Sequence, residues 1–343
     1  MTLKTAILGG MSLAARRKSR AQPVAPYVDP VQIDVDEPTW DNSGAYTPKA
    51  SLTEYTGTEL ITTQDGQIIE NLYLPVARIQ VRHKNVIIRN CYIEYGPADG
   101  RLMIHAHCGV VHNPNYDTRG NLIEYVTFDP INAKASTDVN DANVYGIFGY
   151  NMTISRCAIR NVTDAIAPKI SSTTGNLTCT IAGNYLETRY LSYDPNQTDG
   201  THNDCVQIPG GSGWIVHGNA MHNPTGTNAN GVKGQNIVCT PYQDVISDIT
   251  VEHNWFYGAY TQVAMWPVSA DVGADTPRYT IAGVTLRYNQ HLGACTWPIL
   301  MNTETNNAGP TVADNVAGVG GLIWNNGTTA AGAPISPYVA ASH

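Results

Sequence analysis

Only 14% of the 343 residues are charged, and only three are Phe. The bulk Ala, Glu, Lys and Leu of a coiled coil or helical bundle is missing. No apolar run approaches the roughly 18 residues of a membrane-spanning helix. Seven cysteines occur, but with no CxxC pair and no finger-type spacing, so no structural zinc is expected. Glycine-rich phosphate loops, GxSxG elbows and HExxH helices are also missing. Low charge does not mean disorder here, because 42% of the residues are apolar. What is present is 31 Gly, 19 Tyr and 6 Trp, with abundant Asn, Thr and β-branched residues. That is the composition of strands joined by tight bends.

Charge is unevenly placed. Residues 1–30 hold Lys4, Arg16, Arg17, Lys18 and Arg20 against Asp29, a local +4, which leaves −12 for the rest of a chain whose net charge is −8. An acidic body repels phosphate, so nucleic acid is not an expected partner. The basic arm reads as a solvated tail or a contact for an acidic surface. In MTLKTAILGGMSLAARRKSRA the basic cluster follows a weak apolar stretch, the reverse of a secretory signal. A leader cleaved between Ala15 and Ala21 is the alternative, and it would make the protein secreted. The scattered cysteines read as buried free thiols, suited to a reducing cytosol.

A hexad recurs along the chain: IENLYL from Ile69, IRNCYI from Ile88, IEYVTF from Ile123, ISRCAI from Ile154, IAGNYL from Ile181, VHGNAM from Val216, VEHNWF from Val251, LRYNQH from Leu286 and VADNVA from Val312. Successive copies are 19, 35, 31, 27, 35, 35, 35 and 26 residues apart. A turn of a parallel β-solenoid takes roughly 20 residues, and longer spacings become loops. The first position is apolar and expected in the core. The second is mostly polar, and His217, Glu252 and Arg287 would form a solvated ion ladder along it. The fourth reads Leu72, Cys91, Val126, Cys157, then Asn184, Asn219, Asn254, Asn289 and Asn315. This predicts a buried asparagine ladder at a turn, with Asn taking the left-handed backbone. Further strands are expected at LMIHAH, VYGIFG, DAIAPKI, DCVQIPG, QNIVCT, QVAMWPV, PILMN and GLIWNN. The predicted organisation is an N-terminal arm over 1–45, a solenoid over 46–325, and a tail or cap over 326–343. Caps or subunit contacts are needed because open solenoid ends expose strand edges.

Three groups of residues could carry chemistry. Strand alignment sets Asp164 beside Asp204, about 5 Å apart, with His202 close in sequence. Two carboxylates and a His suit acid/base work on a glycoside, with Lys169 a proton acceptor for a lyase and Gln207 a ligand contact. The structural alternative is bend capping by a column of Asn143, Asp164, Asp204 and Asn236. His105 and His107 share a strand face, and His112 follows, but no third metal ligand is indicated. Trp255, Tyr257, Tyr260 and Trp266 offer aromatic faces for sugar rings or for a neighbouring chain.

The hexads, the Asn column and DGTHNDCVQIPGGSGWIVHGNAMHN resemble right-handed parallel β-helix proteins of the pectate-lyase-like group. The stretch Asp199, His202, Asp204, Gln207 resembles β-helix tail proteins of phages that infect actinobacteria. The resemblance covers residues 60–325 and implies an all-β, single-stranded right-handed β-helix with an extended N-terminal arm. It further implies a tail-associated virion protein, a homotrimer mounted on other virion proteins through residues 1–45, meeting host-surface polysaccharide and using no cofactor. The calcium-binding Asp set and catalytic Arg strand of pectate lyases are absent, so pectin cleavage is not implied. The alternatives are a polysaccharide depolymerase (hydrolase or lyase) on the same fold, a capsid-surface decoration, or a secreted bacterial glycan-binding protein.

Overall fold

The first residues of the hexads lie directly beside one another. Ile69, Ile88, Ile123, Ile154, Ile181, Val216, Val251, Leu286 and Val312 are successive partners in one parallel ladder. Those from Ile69 to Leu286 are no more than 4% exposed. The spacing in the sequence is therefore the pitch of a parallel β-solenoid, one turn per hexad. The structure is a computed structural model. It describes residues 36–94, 108–112, 116–130, 145–167, 178–188, 203–223, 234–241, 245–265, 280–293, 295, 297–301, 311–313, 315–317, 323–325 and 338–340.

The first eight hexads bend at their third residue. Asn71, Asn90, Tyr125, Arg156, Gly183, Gly218, His253 and Tyr288 all have φ between 49° and 65°. The left-handed residue thus precedes the fourth-position ladder, which corrects the expectation that the ladder Asn itself takes this backbone. The bend splits most hexads into two short strands, so that a turn has three strands rather than two, while Ile87–Ile93 and Asn121–Phe128 run through the bend as single strands. The first two faces together make an 18-stranded parallel sheet and the third face a separate 10-stranded one. The third face runs from Glu59–Ile61 and Arg78–Val81 through Asp164–Ile166, Asp204–Ile208 and Gln235–Cys239 to Ile323–Asn325. Most of the expected second strands lie on it. LMIHAH is outside the described residues, and Cys108–His112 supplies the strand in that turn.

Apolar columns from the faces meet inside. Ile79, Val110, Ile147, Ile166, Val206, Ile237, Val263 and Ile299 stack in register on the third face. All are at most 1% exposed. Burying such a side chain contributes about 1.5–3 kcal/mol, so the repeated column is the main cohesive element. The sixth hexad position supplies a second column, from Leu74, Ile93 and Phe128 to Phe256, His291 and Ala317.

The asparagine ladder runs along the corner. Each Oδ1 of Asn219, Asn254 and Asn289 accepts the backbone N–H and the Nδ2–H of the Asn one turn earlier, at 2.8–3.0 Å. Each Nδ2 also donates to a first-position carbonyl of the preceding turn (Ile154, Ile181, Val216, Val251) at 2.8–3.1 Å. These four Asn are at most 1% exposed, so every bond replaces water that cannot reach them. Asn315 starts the next strand, and its side chain lies outside the described residues. Cys157 and Cys91 occupy the same column, their thiols directed at the carbonyls of Ile123 and Ile69 at 3.6 and 3.9 Å.

Residues 36–49 form a strap along the outside of the second face. Glu37 accepts the Tyr257 hydroxyl at 2.6 Å. Trp40 lies under the Arg160 guanidinium at 3.7 Å and edge-on to Tyr185. The Gly44 N–H donates to the Arg156 carbonyl, the Thr47 N–H donates to Asn90 Oδ1, and Lys49 pairs with Glu94. From Tyr257 to Tyr73 the strap crosses six inter-turn steps, about 29 Å at ~4.8 Å each. Residues 36–45 of the expected arm therefore lie against the solenoid. Residues 1–35 are outside the described part.

Candidate functional site

Asp164 and Asp204 each begin a third-face strand, and Ile166 pairs with Val206 two residues further on. Asp164 Oδ1 accepts the Asp204 backbone N–H at 3.0 Å, so this carboxylate caps the neighbouring turn. Both side chains are buried, at 4% and 3% exposure. Asp204 Oδ2 accepts from Gln207 Nε2 at 3.2 Å. Burial first, and then the Asp164 charge, push the Asp204 carboxyl well above the usual carboxylate range. Two adjacent buried carboxylates hold a proton because separation from water penalises a doubly charged pair.

The expected capping column is out of register, by one residue at Asn236. Asp204 pairs with Gln235, which pairs with Thr261, and Asp164 pairs with Tyr145. Asn236 instead lies beside Cys205, whose thiol is 3.8 Å from Asn236 Oδ1. Asn143, Asp199, His202 and Lys169 lie outside the described residues. Sequence reasoning passed over Asn203, which is 0% exposed and precedes Asp204. Its carbonyl accepts Asn223 Nδ2 and the Gln235 N–H, both at 2.8 Å. Asn next to Asp at a strand start was the available signal.

The aromatic group is not an open platform. Trp255 is 7% exposed. Tyr257 stacks on His222 at 4.4 Å and 6°, and its hydroxyl is held by Glu37 of the strap. Burial and the Glu37 carboxylate both push this phenol upward. Tyr260 is half-buried and Trp266 lies outside the described residues. The rings that line this face together are Tyr185, His222 and Tyr257, with centroids 5.0 and 4.4 Å apart. Tyr185 and His222 carried no repeat signal that singled them out.

The second-position ion ladder is present, with Arg287 exposed and the other two members buried. Glu252 accepts from Arg287 Nε at 2.5 Å and lies 3.3 Å from His217 Nδ1, with His217 and Glu252 both buried. Among the described residues no group of three or more His, Cys, Asp or Glu could hold a metal ion. His105 and His107 lie outside those residues. His112 ends its strand, and its side chain is not described. Cys91, Cys157, Cys179, Cys205 and Cys239 are buried free thiols. Burial pushes Cys157, Cys179 and Cys239 up to about 12. A thiol that does not ionise is no nucleophile, so these cysteines pack rather than react. No helix of the described residues is long and apolar enough to cross a membrane. No protein-family model matches the chain, and neither a curated protein nor a solved structure matches it.

Proposed function

We propose that the chain is a structural protein of a virion, a tail-associated β-helix that stabilises the particle or meets host-surface polysaccharide. The observation that supports this reading is the strap. A segment between a basic N-terminus and the first turn is bonded along the rod at Tyr257, Arg160, Arg156, Asn90 and Glu94. Such a segment transmits a docked terminus to a stiff body. The partners on this reading are other virion proteins through residues 1–45, and the assembly is a homotrimer. Deleting residues 1–30 should abolish incorporation into particles while leaving the melting temperature of the body unchanged. Normal incorporation of the truncated chain refutes the docking role.

A second reading, a polysaccharide depolymerase, draws on the buried Asp164–Asp204 pair, in which burial pushes the Asp204 carboxyl upward, the direction a general acid needs. Its test is release of reducing ends from host cell-wall glycan, lost in Asp204→Asn with unchanged melting. A large fall in stability without any activity to lose identifies the pair as a bend cap.

A further inference from the structure

Asp204 Oδ1, Gln207 Oε1 and both amide atoms of Asn203 have no hydrogen-bond partner among the described residues. Asp204 and Asn203 are 3% and 0% exposed, so bulk water does not satisfy them. Each buried orphan costs about 1–3 kcal/mol. A bend cap needs only the Asp164 carboxylate on the Asp204 N–H, and it leaves these oxygens unexplained. The side chains of Asp204 and Gln207 are neighbours, Gln207 Nε2 donating to Asp204 Oδ2 at 3.2 Å, and Asp164 Oδ1 reaches the same turn at the Asp204 backbone N–H at 3.0 Å; Asn203 adjoins Asp204 in the chain.

We propose that Asp164, Asp204, Gln207 and Asn203 form a buried site for a hard divalent cation of the calcium type. Among the described residues the donors are carboxylate and amide oxygens, a hard-cation set rather than a zinc-type one. Two carboxylates balance a double positive charge. Calcium accepts irregular mixed sets of carboxylate, amide and carbonyl oxygens at about 2.3–2.6 Å, whereas magnesium demands a near-ideal octahedron and keeps its water. The site is at the start of third-face strands in mid-rod, where the strand Asp204–Ile208 follows the segment 189–202. A cation there would tie two turns together.

The test uses the full chain stripped with EDTA. Calcium chloride should raise its melting temperature, with the midpoint rising as the logarithm of calcium once the site is filled. Titration calorimetry should show one calcium ion bound per chain. Gln207→Met, which keeps the volume but loses the amide oxygen, should weaken calcium about tenfold. Asp204→Asn should remove the response. The proposal is overturned if calcium on the order of millimolar leaves melting unchanged, or if both variants respond as the parent does. An equal response to magnesium overturns the calcium-type assignment. If Asp204→Asn does not fold, Gln207→Met alone decides. None of these readouts depends on incorporation into a particle.

Discussion

Between Cys157 and Asn184 the corner of the solenoid changes its chemistry. On the N-terminal side the fourth position is Leu72, Cys91, Val126 and Cys157, and asparagine sits instead at the third, left-handed position as Asn71 and Asn90. Those two side chains bond outside the core, Asn90 Nδ2 to Asn71 Oδ1 at 2.6 Å and to Thr47 of the strap at 2.7 Å. On the C-terminal side asparagine moves one position inward and bonds to itself from turn to turn, while Gly183 and Gly218 take the bend. The same backbone corner is thus secured from outside by a strap in one half and from inside by a ladder in the other. Asn184 Oδ1, accepting the Cys157 N–H at 2.8 Å, joins the two.

The largest effect should come from breaking the inner ladder. Asn219→Leu strands the Asn184 N–H and removes the donor to Ile181 and His217. At about 1–3 kcal/mol for each buried group left unpaired, urea melts should show a loss above about 3 kcal/mol. Cys157→Val at the equivalent corner should cost about 1 kcal/mol or less, since a thiol behaves there as a small apolar group. Equal losses would erase the distinction between the halves.

Acid should separate them next. His291 interrupts a sixth-position column that is apolar in the N-terminal half, and burial lowers its pKa from 6.5 to about 3. A depressed histidine is neutral when folded, so its contribution is complete above pH 6.5 and is lost as pH falls toward about 3. The slope approaches about 1.4 kcal/mol per pH unit for one proton. Hydrogen exchange at pH 4 should open the turns around Phe256 and His291 before those around Phe128. His291→Leu should flatten this limb by one proton, and an unchanged limb would remove the histidine from the account.

Smaller effects sharpen the picture of the bend itself. Gly218 has φ 62°, and the nearest atom to an added Cβ is 4.0 Å away, so Gly218→Ala meets backbone strain rather than a clash. Its cost should be about 1–2 kcal/mol by thermal melting. The smallest change should follow Trp40→Ala, which removes the ring under Arg160 and should cost about 1 kcal/mol or less. Limited proteolysis should then cut within residues 36–49 faster while the ladder half keeps its protection.

The sequence made the turns legible because one chemical requirement recurs in phase. The first-position column and the Asn ladder pair residue for residue as the hexads do. The bend was not legible, because Tyr125, Arg156, His253 and Tyr288 are not turn-forming types; packing along the solenoid overrides their local preference. Stacking of His253 on Tyr288 at 4.9 Å and Arg156 over Tyr125 at 5.5 Å returns part of that strain. The candidate site was legible as a carboxylate pair. Its register with Gln235 rather than Asn236 was not, since adjacent Gln and Asn are chemically alike and only strand pairing separates them. The strap left no trace in periodicity because its contacts are single residues meeting different turns.

The strap also decides how the rod meets a mechanical load. Glu37 lies at the Tyr257 turn, while the chain begins its first strand at Thr53, seven steps away. A pull applied ahead of residue 36 along the axis therefore does not tug at the first turn. It loads the contacts at Tyr257, Arg160, Arg156, Asn90 and Glu94 in shear, spreading force over most of the solenoid before any strand can be peeled from its end.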